Sequence, residues 1–302
     1  LILASRQSLA NRAHYELIAH AGDGSQTPEE ARAFGDTHWT MLTAEPEAVD
    51  YLEIDAAGTR AMWLVPHART DAGVLLCVHG GGFVGGSIYT HRKMYGHLAK
   101  AAALRALLVG YSRIDQAPWP AQLDQLINAC LWLVATGVDP ARILLVGDSA
   151  GGLLTIAALV RMRAERLAMP AGAMCISGWF DMSAAGDSYD ANDASDPFFK
   201  RETVRWLGGQ VAKERDPASP DLSPLYADLA GLPPLYLQVG ADETLLDDSR
   251  LLAERARAQG VEVMLDIFPD MLHSFQMMAG RAPEADHAIA KLASWARRAL
   301  DR

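Results

Sequence analysis

The chain has 302 residues, half of them hydrophobic, which is enough for one large core with a modest addition and too short for two comfortable domains. Its 27 basic against 37 acidic side chains leave a net charge of −10 with no basic stripe, so no nucleic acid and no anionic membrane surface is expected as a partner. The excess acid reads mostly as a solvated surface.

In chain order, residues 1–45 read as two helices broken at Ala21-Gly22-Asp23-Gly24, with Pro28-Glu29-Glu30 opening the second. Residues 49–54 and 61–65 alternate like the strands of a hairpin. The run Val74-Leu75-Leu76-Cys77-Val78 is wholly apolar, as a parallel strand buried on both faces should be. A helix over 91–103, a strand over 107–109 and a helix over 121–136 follow. Ile143-Leu144-Leu145-Val146 then feeds a tight turn and a helix reaching about residue 167. Strands at 173–176, 235–239 and 261–268, a helix at 248–259 and a closing helix at 285–300 complete the alternation. This predicts an α/β class fold, a mainly parallel sheet covered by helices on both faces. The polar stretch 183–223, with a helix near 202–207, interrupts the pattern. It forms the expected cap insertion together with the N-terminal helices of 1–45, over a core made of 46–182 and 224–302.

Cys77, Cys130 and Cys175 are isolated in apolar stretches and read as buried thiols of a reducing compartment. No apolar run approaches the roughly 20 residues that span a bilayer. Leu1-Ile2-Leu3-Ala4 is too short for a signal-peptide core, although a chain starting without Met leaves room for a removed upstream segment. The expected location is cytoplasmic, and nothing in the composition excludes a homodimer.

The most informative feature is Gly147-Asp148-Ser149-Ala150-Gly151 at the strand-to-helix junction. It is a Gly-x-Ser-x-Gly turn that exposes a serine hydroxyl in front of a helix N-terminus. About seventy residues upstream stands His79-Gly80-Gly81-Gly82, a loop type that supplies oxyanion donors. Together the two motifs point to a serine hydrolase. Ser149 is then the nucleophile, and it needs a base, a group to orient that base, and donors for the oxyanion. His273 follows a core strand through Pro269-Asp270-Met271-Leu272, whereas His287 falls in a helical pattern and reads as a surface residue. For the acid, Asp242, Glu243, Asp247 and Asp248 all follow the strand at 235–239; Asp248 reads as a helix N-cap and Asp247 as part of the loop before it. His79, His91 and His97, spaced by 12 and 6, do not match a paired helical metal site, so neither metal nor cofactor is expected.

As a set these residues resemble the hormone-sensitive-lipase-like family of α/β-hydrolases, over roughly residue 74 to the C-terminus. The likeness is nearest to small bacterial esterases and ε-lactone hydrolases. It implies the α/β-hydrolase fold with a small helical cap, and the chain order Ser, acid, His. His273-Ser274-Phe275 is similar to the family's His-x-Phe. The family places its acid directly after the penultimate strand, which selects Asp242, although many members carry proline where Glu243 stands. The resemblance makes the backbone N–H groups of Gly81, Gly82 and Ala150 the oxyanion donors. His79 and Asp148 read as anchors of their loops. Phe83, Tyr89, Trp179, Phe180 and Phe275 lie close to motif residues and are candidates to line an apolar pocket, or equally to be ordinary core.

The chain departs from the family at Tyr111-Ser112-Arg113-Ile114-Asp115-Gln116, where Tyr-Arg-Leu-Ala-Pro-Glu is usual, and at Gly178, where proline is common. The expected activity is hydrolysis of small, short-to-medium acyl esters through an acyl-enzyme (EC 3.1.1). A lactone hydrolase using the same triad is the alternative. Some plant hormone receptors resemble this family and bind without hydrolysing, having lost the triad histidine; His273 argues against that reading.

Overall fold

The computed structural model describes residues 4–19 and 27–301, so the expected break at Ala21-Gly22-Asp23-Gly24 lies outside the described residues. Helices α1 (Arg6–Ala19) and α2 (Pro28–Leu42) precede the hairpin β1 (Val49–Ala56) and β2 (Thr59–Pro66). The chain then alternates through β3 (Val74–Val78), α3 (Ile88–Ala102), β4 (Arg105–Val109), α4 (Ala121–Ala135), β5 (Ile143–Asp148), α5 (Ala150–Ala164) and β6 (Gly172–Ile176). The short α6 (Ser188–Ala191) and α7 (Arg201–Ala212) interrupt it. The alternation resumes with β7 (Leu235–Gly240), α8 (Leu246–Ala258), β8 (Val263–Phe268) and α9 (Pro283–Leu300).

The strands form one eight-stranded sheet in the order β1-β2-β4-β3-β5-β6-β7-β8. Strand β2 pairs antiparallel with β1 and β4, and every pairing from β4 to β8 is parallel. Side chains alternate across a strand, and β3 shows the result. Val74, Leu76 and Val78 enter the apolar layer beneath α4, α5 and α8, while Leu75 and Cys77 enter the layer beneath α3 and α9. Strands β3, β5, β6 and β7 are buried along their whole lengths. Because these strands run parallel, the loops after β3, β5, β6, β7 and β8 all emerge at one edge, where open α/β sheets build their sites. Among the described residues, no helix is long and apolar enough to cross a membrane.

Two boundaries differ from the periodic pattern for local reasons. Helix α3 begins at Ile88 because Ser87 forms a capping box, its hydroxyl accepting from Tyr89 and Thr90 N–H while Thr90 Oγ1 accepts from Ser87 N–H. Helix α8 begins at Leu246, which places Asp248 inside the first turn rather than at the N-cap. The Asp248 carboxylate is turned sideways instead, accepting from Phe180 N–H (2.7 Å), Asp181 N–H (2.9 Å) and the Tyr189 hydroxyl (3.0 Å).

Helix α1 has little amphipathic pattern of its own and is held by polar contacts. The Glu284 carboxylate, in the first turn of α9, accepts from Ser5 N–H (2.6 Å), Ser5 Oγ (2.8 Å) and Ser8 Oγ (2.8 Å). Replacing Glu284 with Ala leaves these donors to water and should cost about 1 kcal/mol or slightly more, because the contacts are only partly buried. The expected outcome is faster tryptic cleavage at Arg6 and Arg12 in the native protein, with a fall in Tm of roughly 2–4 °C.

Candidate active site

Strand β5 ends at Asp148 and α5 starts at Ala150, so Ser149 alone makes the turn, at φ 52° and ψ −117°. That left-handed conformation is costly for a residue with a side chain and persists because the surroundings fix it. Ser149 N–H donates to Ile176 O (2.9 Å), and Ser149 O accepts from Gly152 N–H (2.8 Å) and Trp179 N–H (3.1 Å). Gly151 must be glycine here, since a Cβ on it would lie 2.3 Å from Val78 O.

The loop after β3 has the same character. Gly81 sits at φ 114°, and a Cβ there would meet Gly85 O at 2.2 Å. Gly82 follows at φ 58° and Phe83 at φ 65°. Ala150 is the first residue of α5, so its N–H has no intrahelical acceptor and is free to serve a ligand oxygen. His79 fixes the loop: its Nδ1–H donates to Gly80 O (2.7 Å), and its ring stacks on Tyr111 at 4.2 Å. Burial, then the neighbouring His91, pushes the His79 pKa down to about 3, which keeps the ring neutral and makes it a structural group. Asp148 is the anchor on the other side. One of its oxygens pairs with His91 Nε2 at 3.1 Å, and the other accepts from Ser274 Oγ.

His273, buried in the loop after β8, donates from Nδ1 to Glu243 Oε2 at 2.7 Å. Glu243 Oε1 accepts from Ser177 Oγ (2.8 Å) and Gly240 N–H (2.6 Å), and the Ser177 hydroxyl in turn accepts from Ser274 N–H (2.9 Å). The carboxylate that meets His273 is therefore Glu243 and not Asp242, where the acid was expected. The turn after β7 explains the shift. Asp242 N–H is engaged by Met271 O (3.1 Å), and its carboxylate faces outward, 3.6 Å from the Arg12 guanidinium. The next side chain points inward and, being a methylene longer, reaches the imidazole. Asp247 is spent elsewhere, accepting from Ser188 N–H at 2.8 Å. The signal available in the sequence was Glu243 itself, a carboxylate where relatives carry proline.

Burial alone would push the His273 pKa down, but the hydrogen bond and charge of Glu243, then the charges of Asp148 and Asp196, outweigh it. The pKa is held above its ordinary value.

The aromatic residues divide. Phe83 and Trp179 meet at 6.1 Å, and Phe83 also packs against Trp119 at 5.9 Å, forming an aromatic wall beside Ser149. Phe180 is closed into the core, its ring filling the space a side chain on Gly178 would need; a Cβ there would lie 2.1 Å from Phe180 Cζ, so proline does not fit. Tyr89 does not line a pocket: it is 41% exposed, and its hydroxyl donates to Glu53 (2.6 Å) on the β1–β2 hairpin. Phe275 does not either, because its ring packs on Phe268 at 4.9 Å in the layer beneath α9. His287 is exposed on α9.

Sequence reasoning missed Phe198 and Phe199. The Phe198 ring lies nearly parallel to His273 at 6.2 Å, and Phe199 meets His273 edge-on at 4.7 Å. Both are set by Asp196, whose carboxylate accepts from Phe198 N–H (2.8 Å) and Phe199 N–H (3.1 Å) and ties them to Thr244 N–H (2.8 Å). The available signal was a pair of aromatics inside an otherwise polar insertion. The segment that departs from the family at Ser112 is held by side chains of α4: Ser112 N–H donates to Gln125 Oε1 (2.8 Å), and Gln122 Nε2 donates to Ser112 O (3.0 Å) and Ala117 O (2.7 Å).

Residues 75–277 match the sequence profile of a family described by the alpha/beta hydrolase fold. An acetyl-hydrolase of Streptomyces hygroscopicus is 36% identical over 229 residues, 76% of each chain. The crystal structure of an esterase from the bacterial hormone-sensitive lipase family superposes with a TM-score of 0.94 at 37% identity, covering 99% of this chain and 100% of the other. This chain belongs to the hormone-sensitive-lipase family of α/β-hydrolases. A second solved structure, EstE5, whose crystal was soaked with p-nitrophenyl butyrate, gives a TM-score of 0.92 at 31% identity over 99% and 100% of the two chains. Membership makes the protein a carboxylesterase-type hydrolase.

For a hydrolase of this family the raised His273 pKa has a signed consequence. With His273 as the base, the neutral imidazole would be the working form, and kcat/KM should rise with pH along a limb centred above the ordinary value of 6.5. In Glu243→Gln the burial effect is no longer opposed by that charge. The limb should move to lower pH while the plateau falls roughly 10²–10⁴-fold. Asp242→Asn should leave the limb in place and the plateau within about threefold. Rates on p-nitrophenyl butyrate between pH 5 and 9 for the three proteins read all of this.

Proposed function

We propose that the protein hydrolyses small, uncharged esters with short to medium acyl groups, through an acyl-enzyme on Ser149 with His273 as base and Glu243 as the acid. The observation that carries this reading is the buried 2.7 Å contact from His273 Nδ1 to Glu243, in the loop that Ser274 ties to the residue preceding Ser149. Donation from Nδ1 fixes the tautomer that leaves Nε2 free to take the Ser149 proton. Ser149 Oγ then attacks the ester carbonyl. The N–H groups of Gly81, Gly82 and Ala150 receive the oxyanion. His273 returns the proton to the departing alkoxide, and water repeats the cycle on the acyl-enzyme. The carbonyl re-forms as the bond to the alkoxide breaks, the alcohol leaves with the proton from His273, and one water is the only further reactant.

Residues 1–45 and 183–223 act in this reading as a cap. Trp39 of α2 meets Phe198 edge-on at 5.1 Å, and the Tyr15 hydroxyl of α1 donates to Ser274 O at 3.2 Å. Short acyl groups are supported by the relative named for acetyl hydrolysis and by the one soaked with p-nitrophenyl butyrate. The three buried free thiols suit a reducing compartment such as the cytoplasm.

Ser149→Ala should abolish turnover and covalent labelling by a fluorophosphonate, a loss on the order of 10⁴–10⁶ in kcat, with the melting curve unchanged. Near-normal turnover by the alanine variant would remove Ser149 from its role. A seven-membered lactone assayed beside p-nitrophenyl butyrate identifies the preferred ester: a lactone favoured by more than about tenfold would move the substrate to cyclic esters.

A further inference from the structure

We infer that Arg32 and Asp36 of α2 are positioning residues for the oxyanion, holding the 80–86 loop in the shape that aims the Gly81 and Gly82 N–H groups at the ester carbonyl. The inference rests on the reading of Ser149 and of those donors given above.

The loop needs holding from outside. Gly81, Gly82, Phe83 and Gly86 all sit at positive φ, and a glycine-rich segment left to itself has many other conformations open to it. Within the loop, Gly81 O accepts from Val84 N–H (3.0 Å) and Gly85 N–H (2.8 Å). Helix α2 supplies two further grips: Arg32 Nε donates to Val84 O (2.9 Å), and Asp36 Oδ1 accepts from Gly86 N–H (3.0 Å). Arg32 and Asp36 stand four residues apart on one face of the helix, so a rigid element takes the loop by a carbonyl and by an N–H two residues further on.

The stretch in which this chain departs from its family completes the clamp. Ile114 N–H donates to Phe83 O (2.9 Å). Asp115 accepts from Arg32 on one oxygen (3.3 Å) and from Arg113 on the other (3.2 Å), which orients the Arg32 guanidinium toward the loop.

The grip on Gly86 reaches the donors because the two ends of the loop are in backbone contact. A Cβ on Gly86 would lie 2.2 Å from Gly80 O, and one on Gly81 would lie 2.2 Å from Gly85 O and 2.8 Å from Gly86 N. Gly80 O and Gly81 N–H belong to one planar peptide, so the place of Gly86 sets the direction of that N–H. Charge develops on the carbonyl oxygen only as the tetrahedral intermediate forms. A misaimed donor therefore shows in kcat and leaves KM nearly alone.

The test uses rates on p-nitrophenyl butyrate and inhibition by a trifluoromethyl ketone. Ser149 adds to that ketone while its proton passes to His273 and the carbonyl oxygen becomes the anion. Asp36→Ala should lower kcat roughly ten- to a hundredfold with KM within about threefold, and Arg32→Ala should lower kcat about tenfold. The ketone Ki should rise by the factor that kcat/KM falls, and the pH limb should stay where wild type has it. Asp36→Asn, whose amide oxygen still accepts from Gly86 N–H, should recover kcat to within about threefold of wild type. An Asp36→Ala variant that keeps kcat within about twofold, or loses rate with no change in that Ki, overturns the inference. So does an asparagine variant no better than the alanine, or a limb that moves, which would place the damage in the His273–Glu243 pair. Should Asp36→Ala melt early, Arg32→Ala decides by the same readouts. Wild type that fluorophosphonate fails to label at Ser149 would instead overturn the nucleophile reading, whatever the variants show.

Discussion

The Glu243 carboxylate is fully buried and takes donors from three strand ends at once: Ser177 after β6, Gly240 at the end of β7 and His273 after β8. An ionised carboxylate removed from water is costly unless its lone pairs are filled. Here the filling is what holds the site together. Moving any one of the three loops would strand part of a buried charge, so the loops keep their relative positions, and with them the imidazole keeps its distance from the end of β5. A parallel sheet brings its loops to one edge without fixing their side chains. This carboxylate supplies that fixation.

The same device recurs around it. Asp148 joins His91 beside the oxyanion loop to Ser274 in the histidine loop, Asp196 gathers Phe198, Phe199 and Thr244, and Asp248 gathers Phe180, Asp181 and Tyr189. Loops leave strands with unpaired backbone N–H groups, and a short carboxylate can accept two at once. Part of the acidic excess therefore lies inside. Asp148, Asp181, Asp196, Glu243 and Asp248 are buried; Asp148 joins two side chains, and the other four accept backbone N–H groups of loops and strand ends. A reading of −10 as a solvated surface undercounts this group, because composition cannot say which carboxylates face inward.

What the sequence made legible follows the same division. Apolar runs located β3, β5, β6 and β7, since burial on both faces leaves little room for polar side chains; the one inside the β7 run, Gln238, donates to the Tyr236 hydroxyl and Ala288 O. The turn at Ser149 was legible because steric exclusion demands particular residues around it. Asp242 was preferred over Glu243 because the family places its acid directly after the strand, and that position says nothing of where a side chain points. That direction was decided by Met271 O, which takes Asp242 N–H across the sheet edge, and by Gly240 N–H, which Glu243 Oε1 accepts from three residues back at the end of β7. Tyr89 and Phe275 were misplaced for a related reason: nearness in sequence to a motif does not choose a face. Phe198 and Phe199 come from an insertion whose path is set by tertiary contacts alone.

Those two rings complete the electrostatic argument. They shield the His273–Glu243 pair from water, and a dry environment acts on it in opposite senses. It weakens the imidazolium by desolvation, and it strengthens the attraction of the carboxylate for that same imidazolium. The balance falls toward the charged form, as the upward shift of His273 shows. The rings depend on the N-terminal helices, because Trp39 braces Phe198 while Tyr15 of α1 holds the carbonyl of Ser274. Those helices are also held by polar contacts: Glu284 takes Ser5 and Ser8 at the start of α1, and on α2 Arg32 donates to Val84 O (2.9 Å) while Asp36 accepts from Gly86 N–H (3.0 Å). Segments remote in sequence from the serine turn thus help set the basicity of the histidine.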